Sequence, residues 1–196
     1  DKKPGATAGA QQMKMLRRLP KLLRFIPGTA QDVRAYFLAM QYWLAGSEAN
    51  MVSLVHSLIA RYADGPRRAL RDLASPADPL EYPEVGVYHP RMAQRLSASL
   101  SDLPGVATRG ERGTVGLLVM RSYLLAGNTG HYDGVIAAME ARGLRVVPAF
   151  ATGLDNRPAI DAFFFRDGRP AIDALVSLTG FSLVGGPAYN DAASAE

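Results

Sequence analysis

The stretch from Thr114 to Pro148, TVGLLVMRSYLLAGNTGHYDGVIAAMEARGLRVVP, constrains the fold of this chain more than any other. It reads as an apolar strand, a polar loop, an amphipathic helix and a second apolar strand. Short β-branched and aliphatic runs at Val115 to Met120 and Leu144 to Val147 predict the strands. Apolar residues at Val135, Ile136 and Met139 share a helical face, and Gly143 supplies a stop. Two strands joined through a helix form a βαβ unit, which requires a parallel sheet and a right-handed crossover. Open α/β sheets bind ligands beyond the carboxyl ends of their strands. The loop at that end offers Arg121, Ser122, Asn128, His131 and Asp133, so the site is expected there.

Upstream, the spacing predicts a helical unit over residues 11–63, preceded by a polar tail at 1–10 that is expected to be disordered. Met15, Leu16, Leu19, Leu22, Leu23 and Ile26 follow helical spacing among basic residues, with a break or kink expected at Pro20. Thr29 is the expected N-cap of the next helix, Gly46 its left-handed stop, and Ser47 the N-cap of a third. Val33, Tyr36, Phe37, Met40, Trp43 and Leu44 mark one apolar face. Met51, Leu54, Val55, Leu58, Ile59 and Tyr62 mark the other, and the short connection favours an antiparallel pair.

Pro66, Pro76, Pro79 and Pro83 make residues 64–83 a linker, with room for a short helix at 67–74. Residues 84–196 then read as a partial α/β domain. Its expected elements are a strand at Val85 to Tyr88, a helix at 91–101, and a strand at Phe181 to Val184. Between the last two, 157–165 and 170–176 suit short helices, or Ala162 to Phe165 a strand leading to the Asp167-Gly168 turn. The fold class expected is α/β, an N-terminal helical unit followed by a partial open, mainly parallel Rossmann-like sheet.

With 196 residues and 48% hydrophobic content, the chain can bury a core in one domain or two small ones. No apolar run reaches the roughly 18 residues that a membrane-spanning helix needs, and no secretory leader pattern is visible. The absence of cysteine excludes disulfides and thiolate metal sites and agrees with a cytoplasmic protein. His56, His89 and His131 have no metal-ligand spacing, so no dedicated metal site is expected. Neither glycine-rich phosphate motif occurs. The net charge of +4 is uneven, with seven basic residues and no acidic one from Lys2 through Gln31. That segment suits either docking on protein with its charges solvated or an anionic membrane surface. Docking is preferred, because Pro20 shortens the continuous face. No aromatic-interleaved basic patch speaks for nucleic acid.

The Thr114 to Pro148 stretch is joined by four others: MKMLRRLPKLLRFIPG (13–28), AQDVRAYFLAMQYWLAGSEAN (30–50), YPEVGVYHP (82–90) and SLTGFSLVGGPA (177–188). In this order they resemble the family of large porphyrin-binding H subunits of magnesium chelatase, related to the large subunit of cobaltochelatase. The resemblance implies an N-terminal-side fragment of a longer subunit that binds protoporphyrin IX. It further implies Mg²⁺ as co-substrate, AAA+ ATPase partner subunits that use ATP, and a place in (bacterio)chlorophyll biosynthesis in the cytoplasm or a plastid stroma. The fragment alone is expected to be inactive. The alternatives are a cobaltochelatase large subunit acting on a corrin precursor, or a non-catalytic interaction module.

Under this resemblance the porphyrin-binding candidates are Arg121, Ser122, His131 and His89, with no catalytic residue assigned. Arg121 can pair with a porphyrin carboxylate through its planar fork, and His131 can take up a pyrrole proton or serve as a transient metal ligand. A structural alternative stays open, in which Asn128, Thr129 and Asp133 support the turn and helix start while Arg121 binds a nearby acid. His89 follows a strand and is expected near a carboxyl edge. His56 reads as a packed or half-exposed helix residue.

Overall fold

The computed structural model describes Met15 and residues 18–105 and 112–180; the tail and the strand expected at Phe181 to Val184 lie outside the described residues. The chain forms two compact units, Asp1–Glu81 and Tyr82–Glu196.

In the first unit residues 18–23 stay helical through Pro20, where a break was expected. The proline is buried, and its carbonyl accepts a hydrogen bond from Arg34 Nε at 3.1 Å, which holds that turn. Helices α1 (Ala30–Ala45) and α2 (Glu48–Tyr62) follow. Gly46 takes the left-handed conformation, φ 66°, that ends α1 without a Cβ clash. Ser47 caps α2 by accepting from the Asn50 N–H at 3.3 Å, whereas Thr29 sits at the head of α1 without a side-chain cap bond.

The helices bury the faces that their apolar spacing suggests only in part, with Phe37, Met40, Met51, Leu54 and Ile59 half-buried. Tyr42, Asn50 and Ser53 are buried, while Val33, Tyr36, Trp43, Val55, Leu58 and Tyr62 are exposed. The reason lies in the strap of residues 74–81, which lies on the polar positions. Tyr42 Oη donates to the Ala77 carbonyl at 2.6 Å, and the Asn50 amide exchanges two bonds with the Leu80 backbone, at 2.8 and 3.0 Å. His56 Nδ1 accepts from the Ser75 N–H at 3.0 Å. The segment expected to hold a short helix at 67–74 is a 3-10 helix, Gly65–Leu73.

The second unit is a five-stranded sheet. Its strands are β1 (Val85–Tyr88), β2 (Leu96–Ser97), β3 (Thr114–Leu118), β4 (Arg145–Ala151) and β7 (Ala174–Ser177), in the order β2-β1-β4-β3-β7. A separate two-residue hairpin pairs β5 (Phe165–Arg166) with β6 (Arg169–Pro170) around the Asp167-Gly168 turn. Strands β4, β3 and β7 are mutually parallel, as the βαβ pattern requires. Strand β1 runs antiparallel to β4, and β2 antiparallel to β1.

Three helices cover this sheet: α3 (Arg121–Leu125), α4 (Gly130–Glu140) and α5 (Arg157–Phe163). Leu117, Val119, Val146 and Phe150 pack with Leu124, Tyr132 and Ile136 on one face. Leu118, Val147 and Ala149 pack with Ala159, Phe163 and Phe164 on the other. Both faces of β3 and β4 are therefore buried, which explains their continuous apolar runs. Gly116 is required in β3, because a Cβ there would stand 2.8 Å from Ile172 and 2.9 Å from Phe164.

Two expected helices are corrected. Residues 91–101 form the turn into β2 and a short 3-10 segment, Leu100–Asp102, because Leu96 and Ser97 find ladder partners in Tyr88 and Val87. Residues 170–176 are extended, because β7 pairs with β3 from Val115↔Ala174 through Leu118↔Ser177. Among the described residues no helix is long and apolar enough to cross a membrane.

Candidate functional site at the carboxyl edge of the sheet

Beyond Leu118 the chain stays tied to the sheet for two more residues. The Val119 N–H donates to the Ala149 carbonyl at 3.0 Å, and the Met120 N–H to Tyr132 Oη at 3.1 Å. It then turns into α3, a single amphipathic turn that buries Leu124 and Leu125 and exposes Ser122 and Tyr123. The loop expected over 121–133 therefore opens with a helix. Gly127, φ 72°, reverses the chain, and the Asn128 N–H donates to the Tyr123 carbonyl at 3.0 Å. Thr129 Oγ1 donates to Asp133 Oδ2 at 3.1 Å, and the Asp133 N–H returns to the Thr129 carbonyl at 2.9 Å, so this pair supports the start of α4.

Arg121 is half-buried and works on backbone. Its Nε donates to the Pro83 carbonyl at 2.8 Å and its Nη2 to the Tyr82 carbonyl at 3.3 Å. The chain entering β1 lies at this edge because β1 is antiparallel: Val85 sits opposite Ala151. The Thr152 N–H and hydroxyl both donate to the Glu84 carbonyl, at 2.7 and 3.0 Å. Residues 82–84, 119–123 and 152 thus form one rim.

His131 is exposed at the head of α4 and belongs to an aromatic row. Its ring centroid lies 3.8 Å from that of Tyr132, tilted by 46°, and 5.5 Å from that of Tyr123, nearly perpendicular at 78°. Tyr132 is buried and anchored by its bond to Met120, and Tyr123 is 43% exposed. The row presents an imidazole and a phenol to solvent beside a fixed third ring, so that a flat ring can lie against the face of one and meet the edge of the other. Neither tyrosine stood out in the sequence, since contacts between rings on two short helices leave no spacing signal.

His89 lies elsewhere. It follows β1, and because that strand is antiparallel its carboxyl end falls at the amino edge of β3 and β4, not the carboxyl edge that was expected. The imidazole is 1% exposed. Its Nδ1 accepts from the Arg91 N–H at 3.2 Å and its Nε2 lies 3.2 Å from Glu140 Oε1, which fixes the neutral Nε2–H tautomer. Burial lowers its pKa, against the pull of Glu140. Burial alone would raise Glu140, but Arg91, which grips both of its oxygens at 2.7 and 2.9 Å, and His89 bring it below the ordinary carboxylate range.

A second clamp joins β1 to α4. Tyr88 Oη donates to Asp133 Oδ1, and Arg95 Nη2 donates to Asp133 Oδ2 at 2.9 Å and to Tyr88 Oη at 2.7 Å. Burial, then the Asp133 carboxylate, pushes the Tyr88 phenol up to about 12. Of the four sequence candidates, the structure thus brings Arg121, Ser122 and His131 to one edge and sends His89 to the other. Among the described residues no three His, Asp or Glu side chains come together as they would to hold a metal ion.

Comparison with known proteins gives a consistent set of relatives. The family described as CobN/Magnesium Chelatase matches residues 40–196, and a domain of unknown function matches residues 1–37. The magnesium-chelatase H subunit of Cereibacter sphaeroides is 54% identical over 193 residues, 98% of this chain and 16% of that protein. That of Rhodobacter capsulatus is 53% identical over 192 residues, 98% of this chain and 15% of that protein. The chloroplastic magnesium-chelatase ChlH subunit of Oryza sativa subsp. indica is 35% identical over 191 residues, 91% and 14% respectively. Among solved structures, the catalytic subunit of cobaltochelatase from Mycobacterium tuberculosis aligns with a TM-score of 0.46 and 21% identity, over 73% of this chain and 10% of that one. The chain thus spans about one-sixth of the length of the first two relatives.

Proposed function

The chain belongs to the CobN/magnesium chelatase family, and on that premise we propose that it is part of the porphyrin-binding subunit of a magnesium chelatase, which places Mg²⁺ in protoporphyrin IX. The observation that carries this reading is 54% identity to a magnesium-chelatase H subunit across 98% of the chain. Insertion needs the macrocycle held, two pyrrole N–H protons removed and a strongly hydrated Mg²⁺ stripped of water. Mg²⁺ gives up water reluctantly, so coupling to ATP hydrolysis on AAA+ partner subunits supplies the driving force.

Within that reaction this chain contributes the carboxyl-edge rim. Tyr123 lies face-on against the macrocycle with His131 edge-on to it, and the imidazole accepts a proton from it. Ser122, exposed at the head of α3, hydrogen-bonds a porphyrin acid group. Arg121 holds residues 82–83 in place and so fixes the rim. His89 takes no part. The test is titration of the chain with deuteroporphyrin IX, followed by porphyrin absorbance and fluorescence. Saturable binding that weakens about tenfold or more in His131→Ala, in line with the loss of an aromatic contact plus a hydrogen bond, supports the reading. No saturable binding by the folded chain overturns it.

A further inference from the structure

The hairpin that follows α5 gathers positive charge with no acid bonded to it. Asp167 and Gly168 take left-handed conformations, φ 52° and 73°, which make a two-residue turn and set Arg166 directly opposite Arg169. Directly opposed side chains leave an antiparallel ribbon on the same face, and like charges placed there repel one another. Both arginines are exposed.

A third arginine joins them from the sheet. Val146 packs on the α4 face and Val147 on the α5 face. By the alternation of a strand Arg145 shares the α5 face, from which the hairpin emerges. The chain leaving the hairpin returns beside it: the Asp173 N–H donates to the Thr114 carbonyl at 2.8 Å, and Thr114 is the ladder neighbour of Arg145. Arg145 is half-buried. Burial, and then the charge of Arg166, hold its guanidinium below the usual value, and no carboxylate counters them. Among the described residues none of the three guanidinium groups has an ion-pair or side-chain hydrogen-bond partner. Asp173 gives its Oδ2 to the Thr114 N–H at 2.7 Å instead. A guanidinium stays charged at any physiological pH, so this cluster gains from an anion supplied from outside.

We propose that Arg145, Arg166 and Arg169 form a binding site for a phosphate group, at the start of β4 and on the hairpin. The site lies on the α5 face, away from the His89 cluster, which closes against Glu140 of α4. It does not rest on the porphyrin reading, and a porphyrin acid is not its ligand. A phosphate group carries roughly 1.5 to 2 negative charges at neutral pH and three strong acceptor oxygens. Each guanidinium fork can then take one of those oxygens, in bonds about twice as strong as neutral ones. A single carboxylate offers one charge and two oxygens and leaves one arginine unmatched.

The test titrates the whole chain with inorganic phosphate, against sodium chloride of equal ionic strength, by calorimetry and by urea midpoint. Saturable binding is expected for phosphate alone, about tenfold weaker in Arg169→Gln, the scale of one lost hydrogen bond to a charged group. The urea midpoint adds a change of sign. In chloride Arg169→Gln should raise the midpoint, because it removes a like-charge pair. In saturating phosphate the unsubstituted chain should be the more stable, because a ligand that binds only the folded chain stabilises it. Arg169 is exposed, so the variant is expected to fold; Arg166→Gln, on the facing strand, should repeat both results. AMP that binds as well as inorganic phosphate or better names a phosphate monoester as the source, and AMP that binds worse names the free anion. Phosphate that acts no differently from chloride overturns the site, as does a variant that shifts the midpoint equally in both salts. Deuteroporphyrin IX should bind Arg169→Gln as it binds the unsubstituted chain. A loss there would assign the arginines to a porphyrin acid and overturn the phosphate site while the porphyrin reading stands.

Discussion

The two edges of the sheet carry the same kinds of side chain and use them differently. At the amino edge His89, Arg91 and Glu140 satisfy one another in a closed cluster, with the imidazole buried and both of its nitrogens engaged. At the carboxyl edge His131, Tyr123 and Ser122 face solvent, on a loop whose own buried contacts, through Tyr132 and Asp133, hold it still. The polar groups of the first cluster are spent on joining β1 to α4. Those of the second are presented outward on a fixed frame, as recognition requires. Residue type alone does not separate the two histidines; burial and strand direction do.

That contrast can be broken most forcefully in β1, the antiparallel strand that joins the two edges. Gly86→Ala would place a Cβ 2.5 Å from the Ser97 carbonyl and 2.7 Å from Phe150. Backbone cannot yield as a side-chain tip does, so a loss of about 3 kcal/mol is expected in urea unfolding. A neutral result would mean that β1 and β2 are not held as described. Glu140→Ala should cost about 2 kcal/mol, because it leaves a buried imidazole N–H without its acceptor, with the Arg91 share discounted for its exposure to solvent.

The pH dependence sharpens the comparison. Burial depresses the His89 pKa in the folded state, so on acidification the unfolded chain protonates first. The associated stability is fully present above the ordinary imidazole value and is lost as pH falls through the folded one. Glu140, whose folded pKa is also depressed, acts in the same sense at lower pH. Urea midpoints measured downward from neutral pH should therefore fall, and His89→Gln should remove the part assigned to the imidazole. The smallest effect belongs to the carboxyl edge, where His131→Ala should change stability by no more than about 0.5 kcal/mol, as for other exposed positions. A large loss there would show His131 to be structural.

The sequence was most legible where burial on both faces imposes a long apolar run. Strands β3 and β4 and the helix between them follow directly from Val115 to Met120, Leu144 to Val147 and the Val135-Ile136-Met139 face. Direction was not legible. Nothing local in Val85 to Tyr88 says that β1 runs antiparallel, and that one fact moves His89 to the other edge. Short elements also escaped, because tertiary pairing decided them. Residues 91–101 have helix-favouring composition, yet Leu96 and Ser97 join β1, and Ala174 to Ser177 are extended because β3 offers a parallel partner. In the helical unit, apolar periodicity pointed to faces that are only partly covered, while Asn50 and Tyr42 take the buried positions through bonds to the strap. Of the candidate site, the edge and the placement of Arg121, Ser122 and His131 on it were readable, and the aromatic row was not.

The central claim, that the carboxyl edge receives the ligand while the amino edge is structural, is tested most directly by amide hydrogen exchange of the chain with and without saturating deuteroporphyrin IX. Protection confined to residues 119–133, with 89–95 and the end of α4 unchanged, is the predicted result. Protection centred on 89–95 and Glu140, with the carboxyl edge unchanged, would contradict it.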